Sequence, residues 1–173
     1  MIGRIIHWVY CLPIRDAVVI GLLFTQFLFW LHKNHAERKW CKPLLISMAL
    51  LWAVGMLTHT LLNRSGQDAT SSLIPFQTYI TVLKGGEKEL LRSAFMNVLL
   101  FYPGGLLLML LFPRWKGLWV AVGLVLTSVT IELLQYRFSL GYAELDDVLH
   151  NGLGAVLGTT IARLYHKNNP PEG

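Results

Sequence analysis

Charge is what this chain has least of. Asp, Glu, Lys and Arg make up 14% of its 173 residues, against about a quarter in an ordinary soluble domain. Cysteine is scarcer still: Cys11 and Cys41 form no CxxC, no zinc-ligand spacing and no disulfide framework. No segment alternates polar and apolar residues as a barrel strand does, and there is no internal repeat or low-complexity tract. The N-terminus lacks the layout of a cleaved signal peptide, because Arg15 and Asp16 interrupt its apolar run and no small-residue cleavage site follows. An uncleaved first helix with an interfacial lead-in, "IIHWVY" (5–10), is expected instead.

What is abundant is apolar surface. Hydrophobic residues make up 54% of the chain and the mean hydropathy is +0.49, values that suit a chain whose solvent is largely lipid. A helix needs roughly 20 apolar residues to cross about 30 Å of hydrocarbon. Four stretches meet or approach that length: 17–31, 43–62, 90–112 and 117–136, with a shorter fifth at about 147–165. Backbone groups in lipid must bond internally, so helices are the expected form. The expected architecture is all-α: a polytopic integral membrane bundle of about five transmembrane helices, forming a single domain over residues 1–173.

The net charge of +5 suggests nucleic acid at first sight, but the basic residues sit in loops between apolar segments. A positive-inside bias and contact with anionic headgroups explain them, so no nucleic-acid partner is expected. One side holds Lys33, Arg38, Lys39, Lys42, Arg114, Lys116, Arg163 and Lys167, the other Arg4, Arg15, Arg64, Lys84, Lys88, Arg92 and Arg137. Eight against seven barely discriminates. Density in the short loop 32–42 favours that side as cytoplasmic, which places the N-terminus outside and the C-terminus inside.

Helix parity is independent of that choice. It puts the start of the third span, the end of the fourth, the start of the fifth and the long connection 63–89 on one membrane face. The connection carries "SLIPFQTY" (72–79), where Pro75 fixes the backbone and Phe76 and Tyr79 suit an interface. Either a lid or re-entrant element, or a tether at headgroup level, is expected there. The polar end "HKNNPPEG" (166–173) is expected to fray.

Polar residues within the spans are few and concentrated. Asn97 lies early in the third span; Ser128, Glu132 and Gln135 share a face late in the fourth. Asp147 and Asn151 share a face at the start of the fifth, with Asp146 and His150 as a neighbouring pair at the same spacing. A charge at the bilayer centre costs at least about 2.5–3.5 kcal/mol. The economical arrangement is therefore a polar cleft at one face, lined by the third, fourth and fifth spans. Each residue also has a bland reading. Asn97 can be an interhelical hydrogen-bond partner, Asp146 a cap on the last helix, His150 a packed interfacial histidine, and Glu132 the partner of Arg92 or Arg137. Gly154 and Gly158 form a small-xxx-small seam for close helix contact. "YPGG" (102–105) suggests a kinked or opened third helix.

Taken in order, "SLIPFQTY", "NVLLFYPGGLLL" (97–108), "IELLQ" (131–135) and "LDDVLHNGLGAVLG" (145–158) resemble the VanZ-like family of small bacterial membrane proteins, named for a teicoplanin-resistance protein. The resemblance runs over about 60–165 and falls on Pro75, Phe76, Asn97, Pro103, Gly105, Glu132, Gln135, Asp147, Asn151, Gly154 and Gly158. Arg137 stands where the family often has an arginine ahead of its acidic motif, although "RFSLGYAELDD" (137–147) is longer than the usual form. The resemblance implies a protein of the bacterial cytoplasmic (inner) membrane with a role in the cell envelope and, for some members, reduced glycopeptide sensitivity.

From the residues themselves, two functions are expected. The first is an enzyme acting at the outer face on a lipid-linked glycan or cell-wall precursor. Glu132 and Asp147 would be its acid–base pair, or the holders of a divalent cation such as magnesium. Asn97, Gln135, Arg137, Asp146 and Asn151 would contact the substrate, and Pro75, Phe76, Pro103, Gly105, Gly154 and Gly158 would be structural. The second is a non-catalytic binder of an envelope lipid or precursor, using the same cleft for recognition. A transporter is disfavoured, because the polar residues gather near one face rather than at the midplane.

Overall fold

The structure is a computed structural model that describes residues 13–62, 70–87, 89–140 and 142–169. The expected interfacial lead-in (5–10), Cys11, Arg64 and the last residues of the polar tail lie outside this set. Helix α1 is Ile14–His35 and α2 is Cys41–Leu57, which continues into a π-helical turn, Thr58–Leu62. Strand β1, Thr70–Ser72, and the short helix α3, Gln77–Leu83, belong to the long connection. Helices α4, Glu89–Leu111, and α5, Gly117–Arg137, follow; then come β2, Tyr142–Glu144, and α6, Leu145–Asn168.

Among the described residues four helices are long and apolar enough to cross a membrane: Ile14–His35, Cys41–Leu61, Glu89–Leu111 and Gly117–Arg137. The fifth expected span, α6, has 24 residues and so the length to cross, at about 1.5 Å per residue. It is more polar because it lies inward. Its buried stripe runs Asp146, His150 and Asn151, Gly154 and Ala155, Gly158 and Thr159, then Ala162, the period of one helical face. Within α4's most apolar stretch 61% is buried, against 22% and 17% for α1 and α2, so α4 is the central helix and the first two lie outside it. Their outward residues, such as Leu22, Leu23, Leu50, Leu51 and Val54, remain exposed. That surface suits hydrocarbon and would be a liability in water.

The most extensive helix contact joins α4 and α6, and glycine makes it possible. A Cβ on Gly154 would run into the carbonyl of Val98, and one on Gly158 into the carbonyl of Tyr102. From the other side, a Cβ on Gly105 would lie 2.6 Å from the Ala155 carbonyl oxygen and 2.8 Å from the Thr159 nitrogen. The two backbones therefore touch directly along a seam to which both helices contribute glycine.

The expected opening of the third span does not occur. Helix α4 runs unbroken through Pro103, and α2 braces the backbone beside it. The Trp52 indole N–H donates to the carbonyl of Leu100 at 2.7 Å, and its ring lies where a side chain on Gly104 would be.

The described part of the long connection, residues 70–87, carries regular structure. β1 pairs with β2 in parallel, Thr70 opposite Tyr142, Ser71 opposite Ala143 and Ser72 opposite Glu144. At Phe76 the chain turns through the left-handed region, φ 62°, at a penalty of roughly 1–2 kcal/mol for a non-glycine residue. Helix α3 then packs against α4.

Gly154→Leu should force the α4–α6 seam apart. The expected loss is about 1–3 kcal/mol, read as a lower thermal unfolding midpoint in detergent. Gly123→Ala, where nothing lies within 4 Å of the added methyl, should keep that midpoint at or slightly above the wild-type value.

Candidate functional site

The polar residues singled out from sequence, Arg137 excepted, converge at one end of the bundle, where α4 and α6 begin and α5 ends. The seam sets the distances. Because α4 and α6 touch, the short side chain of Asn97 reaches across and its Nδ2 donates to Asp147 Oδ1 at 2.7 Å. One turn along α6, Asn151 Nδ2 donates to Ser128 Oγ of α5 at 2.8 Å. Both asparagines are buried, and each therefore needs the partner it has.

On α5, Glu132 and Gln135 lie on one face but do different things. Glu132 Oε2 accepts the backbone N–H of Glu144 at 3.0 Å, so it holds the end of β2 just before α6 starts. Gln135 Nε2 donates to the carbonyl of Thr60 at 2.8 Å, which ties α5 to the π-helical turn after α2. A π turn displaces backbone carbonyls from their usual helical partners, and Gln135 takes up one of them.

Asp146 is a cap, though on a helix other than its own. Its Oδ1 accepts the N–H of Phe76 at 2.6 Å and its Oδ2 the N–H of Thr78 at 2.8 Å. These amides open α3, whose N-cap position is Phe76 and carries no side-chain cap. A carboxylate from α6 thus replaces the Ser, Thr, Asp or Asn that normally fills that position. One turn further, His150 Nε2 and the Tyr79 hydroxyl lie 2.9 Å apart. The Asp146–His150 edge of α6 therefore clasps α3, fastening this part of the connection against the polar end.

The sequence-level grouping thus comes together at Asn97, Ser128, Glu132, Gln135, Asp146, Asp147, His150 and Asn151. Gly105, Gly154 and Gly158 form the seam below, and Pro75 and Phe76 lead into α3. Arg137 is left outside: it is exposed, with its guanidinium 5.9 Å from the ring centroid of its neighbour Phe138. Arg92 pairs with Glu89 at 2.8 Å. Thr60 and Tyr79 are participants that sequence reasoning did not assign. Tyr79 lay inside a quoted motif, but nothing local links it to a histidine 71 residues away.

The cluster is packed. Glu132 is 8% exposed and Gln135 1%, while Asp147 is half-buried. Three buried polar atoms here have no hydrogen-bond partner: Gln135 Oε1, Asn151 Oδ1 and His150 Nδ1. Among the described residues no group of three or more His, Cys, Asp or Glu could hold a metal ion.

Replacing Asp146 should loosen this part of the connection without unfolding the bundle. Asp146→Ala removes the acceptor of two amides, a change worth about 1 kcal/mol for a lost cap. Hydrogen exchange at Phe76 and Thr78 should accelerate, while amides in the middle of α4 keep wild-type rates.

The family model described as VanZ/LLP1 matches residues 18–166, nearly all of the described helices. Protein VanZ of Enterococcus faecium is 32% identical over 77 residues, 44% of this chain and 48% of that protein. The match spans about half the length of that relative. No solved structure matches. With the family model covering most of its length, the chain belongs to the VanZ-like family of membrane proteins.

Proposed function

We propose that this protein works at the outer face of the bacterial cytoplasmic membrane, on the headgroup of a lipid-linked envelope substrate. The observation that carries the reading is that Glu132 and Asp147, from two helices, both lie in the hydrogen-bonded polar end of a lipid-facing bundle. Carboxylates in partly desolvated surroundings can divide acid and base roles between them. Asn97 already orients Asp147, as a positioning amide would. Arg137 stands exposed at the same end, within reach of headgroup phosphates rather than of the carboxylates. The N-terminus lies outside and the C-terminus inside, on the strength of the basic residues in 32–42 and 113–116. Similarity to Protein VanZ adds reduced sensitivity to a glycopeptide such as teicoplanin as the cellular readout.

A recognition role without turnover is the second reading, and it has its own support. Gln135 Oε1 and Asn151 Oδ1 are buried acceptors lacking a donor, a state that a bound precursor's hydroxyl or amide groups would relieve.

Purified protein incubated with lipid-linked precursors, with and without magnesium, should yield a new product by mass spectrometry. Glu132→Gln and Asp147→Asn keep an oxygen able to accept the present hydrogen bonds, so both should fold while losing turnover. If both variants bind the precursor and protect cells from teicoplanin as well as wild type does, the carboxylates are not catalytic and the recognition reading stands.

Orientation has a separate test. With Cys11 and Cys41 replaced, a membrane-impermeant maleimide should label Ser71→Cys in intact spheroplasts and leave Glu37→Cys unlabelled. The opposite pattern reverses the topology.

A further inference from the structure

The other end of the bundle carries a second feature, independent of the carboxylate cluster. A groove of about 540 Å³ lies between the end of α1, the start of α2 and the turn that follows α4. Its floor is apolar, with Leu45 and Leu110 each 3% exposed. Its rim is cationic: Lys42 comes from one loop region, Arg114 from another, and both are exposed. Trp115 closes one side, stacked on Phe112 with ring centroids 4.5 Å apart and an interplanar angle of 16°.

No acidic residue lines this groove. Around it, the described residues of this face include Lys33, Arg38, Lys39, Lys42, Arg114, Lys116, Arg163 and Lys167, with Glu37 as the acid among them. The groove sits where helices meet the membrane surface, at headgroup depth. A soluble anion would leave the leucine floor unused, and an apolar helix would leave two cations without a counter-charge. A molecule with an anionic head and a hydrocarbon tail satisfies both, and the indole lies at the depth that tryptophan favours in membranes.

We propose that this groove is a binding site for an anionic glycerophospholipid. Its phosphate is held between Lys42 and Arg114, and its acyl chain lies over Leu45 and Leu110. Since Lys42 lies at the start of α2 and Arg114 in the turn after α4, the bound lipid ties α2 to that turn.

The test uses the full chain in phosphatidylcholine vesicles containing either brominated phosphatidylglycerol or brominated phosphatidylcholine. The contribution of Trp115 is taken as the difference between wild type and Trp115→Phe. Its fluorescence should be quenched at a brominated phosphatidylglycerol content roughly thirtyfold below that needed of brominated phosphatidylcholine, the preference expected of two basic residues at the surface. The double variant Lys42→Ala, Arg114→Ala should lose that preference while keeping the wild-type thermal midpoint, since both side chains are exposed. The double variant Arg38→Ala, Lys39→Ala removes two charges of the same face outside the groove and should retain it. Equal quenching by the two lipids, persistence of the preference in the first double variant, or its loss in the second would overturn the site.

Discussion

Everything at the polar end depends on how closely α4 and α6 can approach. Hydrocarbon provides no hydrophobic drive to bring helices together, so contact geometry decides which pairs associate. Here three glycines let backbone meet backbone. Only at that separation does an asparagine on one helix reach an aspartate on the other at 2.7 Å. Were the axes further apart, each buried amide or carboxylate would lose a partner that the membrane cannot replace. The seam is thus the condition for the site, although none of its glycines takes part in any chemistry.

The acidic residues then divide the work. Asp146 fastens α3 from outside, Glu132 holds β2, and β2 in turn carries β1. Connection and cluster are one network, so a disturbance at any of these carboxylates is felt by the segment above. Asp147 differs in binding a side chain across the seam, Asn97 of α4. That contrast separates it from its neighbour Asp146 more clearly than their adjacency in sequence suggests.

Much of this was legible in the residues, for identifiable reasons. Lipid-facing helices must be apolar nearly all round, so hydropathy finds them; parity then puts the polar ends on a common face. Spacings of three and four gave the shared faces of Glu132 with Gln135 and Asp147 with Asn151. Arg137 was placed by family pattern, yet it falls about 200° around the helix from Gln135 at 3.6 residues per turn, which points it away. The ribbon of β1 and β2 was invisible because three residues carry no periodicity. Asp146's cap was half legible: the residue type was right for a helix start, but the helix it serves begins 70 residues earlier. The unbroken α4 escaped notice because Trp52, which supports the backbone around Pro103, lies on another span.

The same 70-residue separation has a meaning in time. At a synthesis rate of about 5–20 residues per second, α3 is made several seconds before the aspartate that caps it. Throughout that interval its opening amides have only water or lipid headgroups to bind, and β1 has no strand to pair with. The segment can settle only when the last helix enters the membrane and brings its carboxylate with it. Completion of the bundle and fastening of its polar end are therefore a single event in the birth of the protein.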